Sequence, residues 1–398
     1  MTWTSELHNP LDTLRLLSAT VYLGVGAIGK FSAIADEFID EGIDQVLVVN
    51  DCVAYKKSGA WDAVEPVLKE KGIRYTLFSN IQANPEAAQA DEGARIARDT
   101  GAKAVIGIGG GSPLDAAKCI AVLAKYPDYS AKELMLSEFI PTDALPIIAI
   151  NLTHGTSTEA GRGAVLTIPE LRIKPSIRHM CMVPRYAIDD ARLMSTMPPN
   201  QTLFTTVDAF SHAYEAATGK MTTPLAVAEC DDCVYHIAAN LPKVLRDPQD
   251  HASRHFLAYA ALMAGQAFTN GCLHLGHLIE HPMSVLNTNL AHGLGIGVLL
   301  AATTKWTYRQ KPKISAHVLR HILPDLKGVP EEAGRVQQGM TSWLESLGFT
   351  WRMGDIGFEA KDVESILELV AKALPRLNTM APAKVDMDAV RSVLLESF

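Results

Sequence analysis

Asp208 and His212 stand four residues apart in VDAFSHAYEA, and the later stretch GCLHLGHLIEHPMSVLNTNLAHGLG carries His274, His277, His281 and His292. Positions four apart on a helix project from one face about a turn from each other, so a carboxylate and several imidazoles can converge on one point. That donor set suits a first-row divalent ion, whereas carboxylates alone would suit magnesium and thiolates structural zinc. A single histidine pair is commonly a satisfied core or surface feature. Four candidates on two neighbouring helical segments are more than packing asks for. The chemistry on offer is Lewis-acid activation: a divalent cation can bring water's pKa from about 16 to about 7, and an oxygen of a bound substrate would be affected in the same sense.

A second constellation stands in the first half of the chain. Gly107-Ile108-Gly109-Gly110-Gly111-Ser112-Pro113-Leu114-Asp115 follows a strand-like run and opens a helix-like one. Three consecutive glycines let backbone amides approach a ligand with no Cβ in the way, Ser112 suits the N-cap, and Pro113 the first helical position. Free amides at the positive end of a helix make an anion seat, and the pyrophosphate of a dinucleotide is the expected occupant. Gly24-Val25-Gly26-Ala27-Ile28-Gly29 spells GxGxxG literally but follows only a short strand-like TVYLG, so at most it helps shape the cofactor cleft. Asp51 ends the run VLVVND. It either accepts hydrogen bonds from the adenosine ribose and repels a 2′-phosphate, which favours NAD, or simply caps a turn. Lys56 and Lys57 follow closely enough to neutralise a 2′-phosphate, so NADP stays possible.

The elements that must hold these groups follow from periodicity. QVLVVN (45–50), YTLFS (75–79) and AVIGIG (104–109) alternate with the amphipathic stretches WDAVEPVLKEKG, AAQADEGARIARDTG and PLDAAKCIAVLAKY. This βαβ rhythm predicts a parallel sheet covered by helices on both faces, with ligands beyond the carboxyl ends of the strands. After about Asp189 the strand signals stop, and TLFTTVDAFSHAYEAATG, HFLAYAALMAGQAF and AKDVESILELVAKAL read as helices. The expected organisation is an α/β dinucleotide-binding domain over residues 1–193 and an all-helical metal and substrate domain over 194–398.

A length of 398 residues and 48% hydrophobic composition support two sizeable cores. The net charge of −8 offers no basic field for a phosphate backbone, which argues against nucleic acid as a partner. The sequence has no apolar run of membrane-spanning length, and MTWTSELHNP lacks the basic start and apolar stretch of a signal peptide, so a soluble, cytoplasmic protein is expected. Six scattered cysteines do not make a disulfide framework. Cys230 and Cys233 form a CxxC, but the surrounding AVAECDDCVYHIAANL reads as a helix in which both are small buried hydrophobes.

GGGSPLDAAK at 109–118, NLTHGTSTEAG at 151–161, Asp208-x3-His212, and His277-x3-His281-Pro followed by His292-Gly293 resemble, in order, the iron-containing (group III) alcohol dehydrogenases. The resemblance spans most of the chain. It implies that family's two-domain architecture and metal ligands Asp208, His212, His277 and His292, with His281 beside the nicotinamide. It further implies that Gly109, Gly110, Gly111, Ser112 and Asp115 bound the pyrophosphate turn, that Thr153 and Thr156 contact the cofactor, and that Lys174 lies near the nicotinamide ribose. One divalent ion, Fe2+ or Zn2+, a small alcohol or aldehyde substrate, and a homodimer or larger homo-oligomer follow in the same way. Two features depart from the family pattern: Leu152-Thr153 stands where paired threonines are usual, and the interval from His277 to His292 is about one residue longer than in many members. His274 would replace His277 as ligand if the register slipped. Two rival readings are a non-redox enzyme resembling dehydroquinate synthase and a metal-binding protein without turnover. CLHLGHLIEHPMSVLN holds no Arg or Lys to receive a phosphorylated substrate, and the intact glycine turn argues for a cofactor.

Overall fold

The computed structural model describes Glu6 and residues 19–398; the opening segment read above for a leader lies outside the described residues apart from Glu6. It forms two compact units. The first runs to Pro198 and takes in Asp247–Ala258, and the second comprises Pro199–Arg246 and Tyr259–Phe398. The division falls five residues after the expected 193/194 boundary, and the short 247–258 segment, which composition could not separate from its helical neighbours, counts with the first unit.

In the first unit six strands, β1 (Thr20–Leu23), β2 (Gln45–Asn50), β3 (Arg74–Phe78), β4 (Ala104–Gly109), β5 (Ile147–Asn151) and β8 (Tyr186–Asp189), pair in the order β1-β8-β5-β4-β2-β3, all parallel. The short strands β6 (Gly163–Val165) and β7 (Ser176–Arg178) form a separate antiparallel pair. Alternation along each central strand divides the core. Leu47, Val49 and Val105 pack into one cluster with α4 (Ala87–Asp99), α5 (Gly111–Leu123) and α6 (Ala131–Met135); Val46, Val48, Ile106 and Ile108 pack into the other with α1 (Phe31–Asp40) and α3 (Ala60–Glu70), which the short α2 (Ala54–Lys57) precedes. From β2 the chain steps outward to β3, then returns across β2 to β4 and on to β5. Direction therefore reverses between β2 and β4. A crevice at the carboxyl ends of those two strands is where such sheets bind ligands, and it brings Asp51 and the Gly109–Gly111 turn to the same place.

The second unit holds α7 (Pro199–Thr218), α8 (Pro224–Arg246), α10 (Leu275–Leu286), α11 (His292–Gln310), α12 (Pro312–Leu319), α13 (Ala333–Ser346), α14 (Val363–Met380) and α15 (Met387–Leu395); α9 (His251–Asn270) begins in the first unit and ends here. From Thr206 to Thr218 every residue of α7 is buried, polar ones included, so α7 is the central helix and packs against both α8 and α11. At the start of α11 a Cβ on Gly293 would run into the backbone carbonyl of Phe204. Glycine there lets the first turn of α11 press onto α7 one turn before Asp208, which brings His292 to the site. Cys230 and Cys233 are buried in α8, with thiol pKa values pushed far up by burial, as small hydrophobes should be. Among the described residues no helix is long and apolar enough to cross a membrane.

Candidate active site

In the helical unit the carboxylate of Asp208 is the focus. Its Oδ1 is buried and has no hydrogen-bond partner, yet three imidazole nitrogens surround it: His277 Nε2 at 3.4 Å, His292 Nε2 at 3.5 Å and His212 Nδ1 at 3.7 Å. Donors about 2.1 Å from a tetrahedral ion stand about 3.4 Å from one another, so this spacing is that of a coordination sphere. Asp208, His277 and His292 close into one set, while His212 lies nearer its edge with its ring stacked on His277 at 4.5 Å between centroids. The electrostatics fit a cation. Burial would raise the Asp208 pKa, but the imidazoles of His212, His292 and His277 outweigh it and hold that carboxyl far below its usual range. Burial would likewise lower His277, yet the negative charges of Glu215 and Asp208 push it up to about 10, whereas burial takes His212 down to about 4. The anionic centre thus attracts positive charge, which His277 itself carries when no ion is bound, and one carboxylate with three imidazoles is a donor set that suits a divalent ion. His274 is turned away from this set: its Nε2 is 3.1 Å from the hydroxyl of Thr218 at the end of α7. His281 is outside the Asp208 set, half-buried, with its ring 5.7 Å from that of His292.

In the first unit α5 begins at Gly111 with Gly110 as N-cap, so the helix starts earlier than expected and Ser112 is inside it rather than capping it. The reason is steric and electrostatic. Gly110 accepts the extended cap conformation without supplying a side-chain oxygen, which leaves the first-turn amides uncapped. The glycines are also required by their neighbours: a Cβ on Gly110 would lie 2.8 Å from Thr153 Cγ2, one on Gly111 2.8 Å from Thr156 Cγ2, and one on Gly109 2.5 Å from the Pro113 ring. Thr153 and Thr156 therefore sit directly against the turn. The literal GxGxxG is otherwise engaged: the amides of Gly26 and Ile28 both donate to Asp190 Oδ2, at 3.0 and 3.2 Å, and Arg192 pairs with the same carboxylate.

The family description "Iron-containing alcohol dehydrogenase" matches residues 18–191, and "Fe-containing alcohol dehydrogenase family, C-terminal" matches residues 202–398. The chain belongs to the iron-containing alcohol dehydrogenase family. It is 42% identical over 400 residues, covering all of both chains, to a long-chain primary alcohol dehydrogenase of Thermoanaerobacter ethanolicus. Among solved structures, an archaeal halo-thermophilic Red Sea brine pool alcohol dehydrogenase superposes with a TM-score of 0.88 at 24% identity over 98% of this chain and all of the other. An iron-containing alcohol dehydrogenase of Thermotoga maritima gives 0.83 at 25% over 97% and 99%. This alcohol dehydrogenase is thus an oxidoreductase that works with a divalent metal and a nicotinamide cofactor, which sets aside the non-redox and non-enzymatic alternatives.

Several residues of this alcohol dehydrogenase act from behind the site. Asp115 spends both carboxylate oxygens inside the protein, on the Thr158 hydroxyl (2.5 Å) and the Val165 N–H (2.9 Å). It holds the 153–165 loop. Lys118, fully buried, donates to Thr158 Oγ1, Gly161 O and Gly163 O at 2.7–2.8 Å, which satisfies all three ammonium protons. Lys174 donates to Asn84 Oδ1 at 2.8 Å. Asp51 Oδ1 accepts the N–H groups of Val53 and Ala54, so it does cap the turn after β2. The sequence reading missed Glu215 and Glu280, which pair with Nδ1 of His277 and His292. Their signal was a spacing: Glu215 is seven residues after Asp208 on the same helix face, and Glu280 three after His277.

Asn151 ties the loop to β8, donating to the Thr153 carbonyl and to Asp189 Oδ1. Asp189 Oδ2 and Glu159 Oε2 are buried without hydrogen-bond partners; burial raises both carboxyls, Asp189 to about 7. In the unfolded chain Asp189 ionises near 3.9. Between about pH 4 and 7 the unfolded state therefore releases a proton that the folded state keeps, and stability falls as pH rises through that window. Asp189→Asn, which keeps an acceptor for Asn151 and offers Glu159 a donor, should remove this loss. Denaturant unfolding should find the variant gaining on wild type from pH 5 to pH 8; an unchanged difference would mean Asp189 is ionised in the fold.

Proposed function

We propose that Asp208, His212, His277 and His292 hold one divalent ion, iron with zinc as the alternative, and that Gly109, Gly110, Gly111 and Ser112 seat the pyrophosphate of NAD. The observation that carries this is the convergence of three imidazole nitrogens on a buried carboxylate oxygen that nothing else satisfies. When bound, the ion would supply Lewis acidity to the substrate oxygen and the nicotinamide would exchange hydride with the substrate carbon. The chain's own part is to orient and to move a proton. Alcohol oxidation transfers a hydride to NAD and releases the hydroxyl proton; His281, half-buried beside His292, is the group we assign to take it. Thr153 and Thr156 contact the cofactor from across the glycine turn, Asp115 acts through the loop it holds, and Lys174, steadied by Asn84, serves the ribose. The 42% identity to a long-chain primary alcohol dehydrogenase supports primary alcohols and aldehydes as substrates. A homodimer or larger homo-oligomer in the cytoplasm completes the reading, with the six cysteines present as thiols.

The test is a panel of primary and secondary alcohols and aldehydes with NAD(H) and NADP(H), on apoprotein reloaded separately with iron and zinc. Turnover of primary alcohols with NAD is expected; turnover without added metal, or none with any alcohol, would refute the reading. The same panel decides Asp51. Its turn-capping bonds use Oδ1, which leaves Oδ2 for a ribose hydroxyl and against a 2′-phosphate. Asp51→Asn keeps the cap and removes the charge, so the NAD-to-NADP ratio of kcat/KM should fall by roughly fivefold, about 1 kcal/mol. A ratio that does not move makes Asp51 a turn residue only.

A further inference from the structure

Two carboxylates stand behind the histidines of the proposed ion site and belong to neither the donor set nor the cofactor turn. Asp208 and Glu215 share a face of α7 about two turns apart, and the His277 ring spans the gap between them. Its Nε2 is 3.4 Å from Asp208 Oδ1 and its Nδ1 is 3.2 Å from Glu215 Oε2. Glu215 is itself fixed: Oε1 accepts the N–H groups of Gly276 (2.9 Å) and His277 (3.3 Å), and Oε2 accepts that of His274. Because the N-cap residue His274 gives α10 no side-chain cap, this carboxylate from another helix is the cap. His277 thus meets Glu215 as a charged contact without hydrogen-bond geometry, whereas the second ring is hydrogen-bonded. His292 Nδ1 is bonded to Glu280 Oε2, and Glu280 Oε1 receives the Ser284 hydroxyl. Each carboxylate also rests against a glycine: a Cβ on Gly276 would lie 2.5 Å from Glu215 Oε1, and one on Gly295 2.9 Å from Glu280 Cγ.

We propose that Glu215 and Glu280 are positioning residues that select which ring nitrogen His277 and His292 offer to a divalent ion, and that Gly276 and Gly295 are the seats that keep them there. A neutral imidazole has one N–H and one lone pair, and an ionised carboxylate only accepts. With Glu215 at Nδ1, the proton of His277 sits on that nitrogen and the lone pair of Nε2 points at Asp208. Asp208 alone would favour the opposite tautomer, with a proton on Nε2 where an ion must bind. Glu280 settles the same competition for His292. Carboxylates that orient ligating histidines in this way also raise their basicity. The inference rests on the ion-binding reading above.

Metal-free wild type, Glu215→Gln, Gly276→Ala and Glu280→Gln are titrated with Co2+ alone, following binding by calorimetry and site geometry by the visible bands of the bound ion, with thermal melts of the metal-free proteins alongside. Glutamine turns an amide donor toward the ring and favours the wrong tautomer; Gly276→Ala keeps the charge but displaces the carboxylate. The Kd for Co2+ should rise 10- to 100-fold in each variant, with altered bands. Wild-type Kd and bands in the folded variants, whatever their melting temperatures, would reduce Glu215 to a helix cap and overturn the proposal. Should Glu215→Gln fail to fold because α10 loses its cap, Gly276→Ala and Glu280→Gln decide the matter by the same criteria. Failure of wild type to take up Co2+ would instead overturn the ion-binding reading, and this inference with it.

Discussion

Replacing His277 with alanine should strip the protein of its metal and lower kcat/KM for alcohol oxidation by at least about a thousandfold, because the ion would lose the donor nearest Asp208. The loss should exceed the 10- to 100-fold expected for an outer group such as Glu215. The substitution also removes the ring that bridges Asp208 and Glu215, two buried carboxylates, so a lower melting temperature is expected with the fold retained. Elemental analysis, circular dichroism and steady-state kinetics on one preparation check all three. Full metal occupancy in His277→Ala would mean that the ion is held elsewhere, and His274 could not easily take over, since its ring is committed to Thr218 on the far side of the turn.

Gly110→Val should raise the dissociation constant for NADH at least about tenfold, or about 1.4 kcal/mol, without changing metal content. A valine Cβ would arrive 2.8 Å from Thr153 Cγ2, so either the loop or the start of α5 must move, and both form the proposed seat. Gly110→Ala combined with Thr153→Ser separates the two possible causes. Serine lacks the methyl that the new Cβ meets, so the double variant relieves the clash inside the protein. Recovered affinity would assign the loss to the displaced loop; persistent loss would assign it to a Cβ crowding the cofactor. Calorimetry that finds unchanged NADH binding in Gly110→Val would make the triple glycine a packing feature alone.

Local signals made the sheet readable. β2 and β4 have apolar interiors, with polar Gln45 and Asn50 only at the two ends of β2, and their sequence limits coincide with the structural ones because both faces are buried. The three-residue strands β6 and β7 were invisible, since pairing that short is set by the loop around it rather than by alternation. In the site, Asp208, His212 and the later histidines could be picked as candidates from residue type and spacing, with His277 and His292 singled out by the family resemblance. The lesser part of His212 could not, because its offset depends on how its ring stacks against His277. Asp115 shows the limit most clearly. The resemblance places it at the pyrophosphate turn, and nothing in the sequence shows that its oxygens also accept from Thr158 and Val165, forty-three and fifty residues away. Glu215 and Glu280 were hidden for the same reason: pairing a carboxylate with the back of an imidazole is a tertiary event that leaves only a helical spacing behind.

The carboxylate of Asp190 on the amides of Gly26 and Ile28 means that this chain carries a second anion hole already filled by a tethered anion. A side chain attached to the same polypeptide competes at an effective concentration that no free phosphate in solution reaches. Sequence patterns for dinucleotide binding record the shape of a backbone turn but not whether its donors are spoken for, so two glycine-rich turns can be alike in letters while the donors of one already serve a side chain. Shortening or neutralising that one aspartate would reopen the older-looking hole, and an inorganic sulfate or phosphate ion would be its natural first tenant.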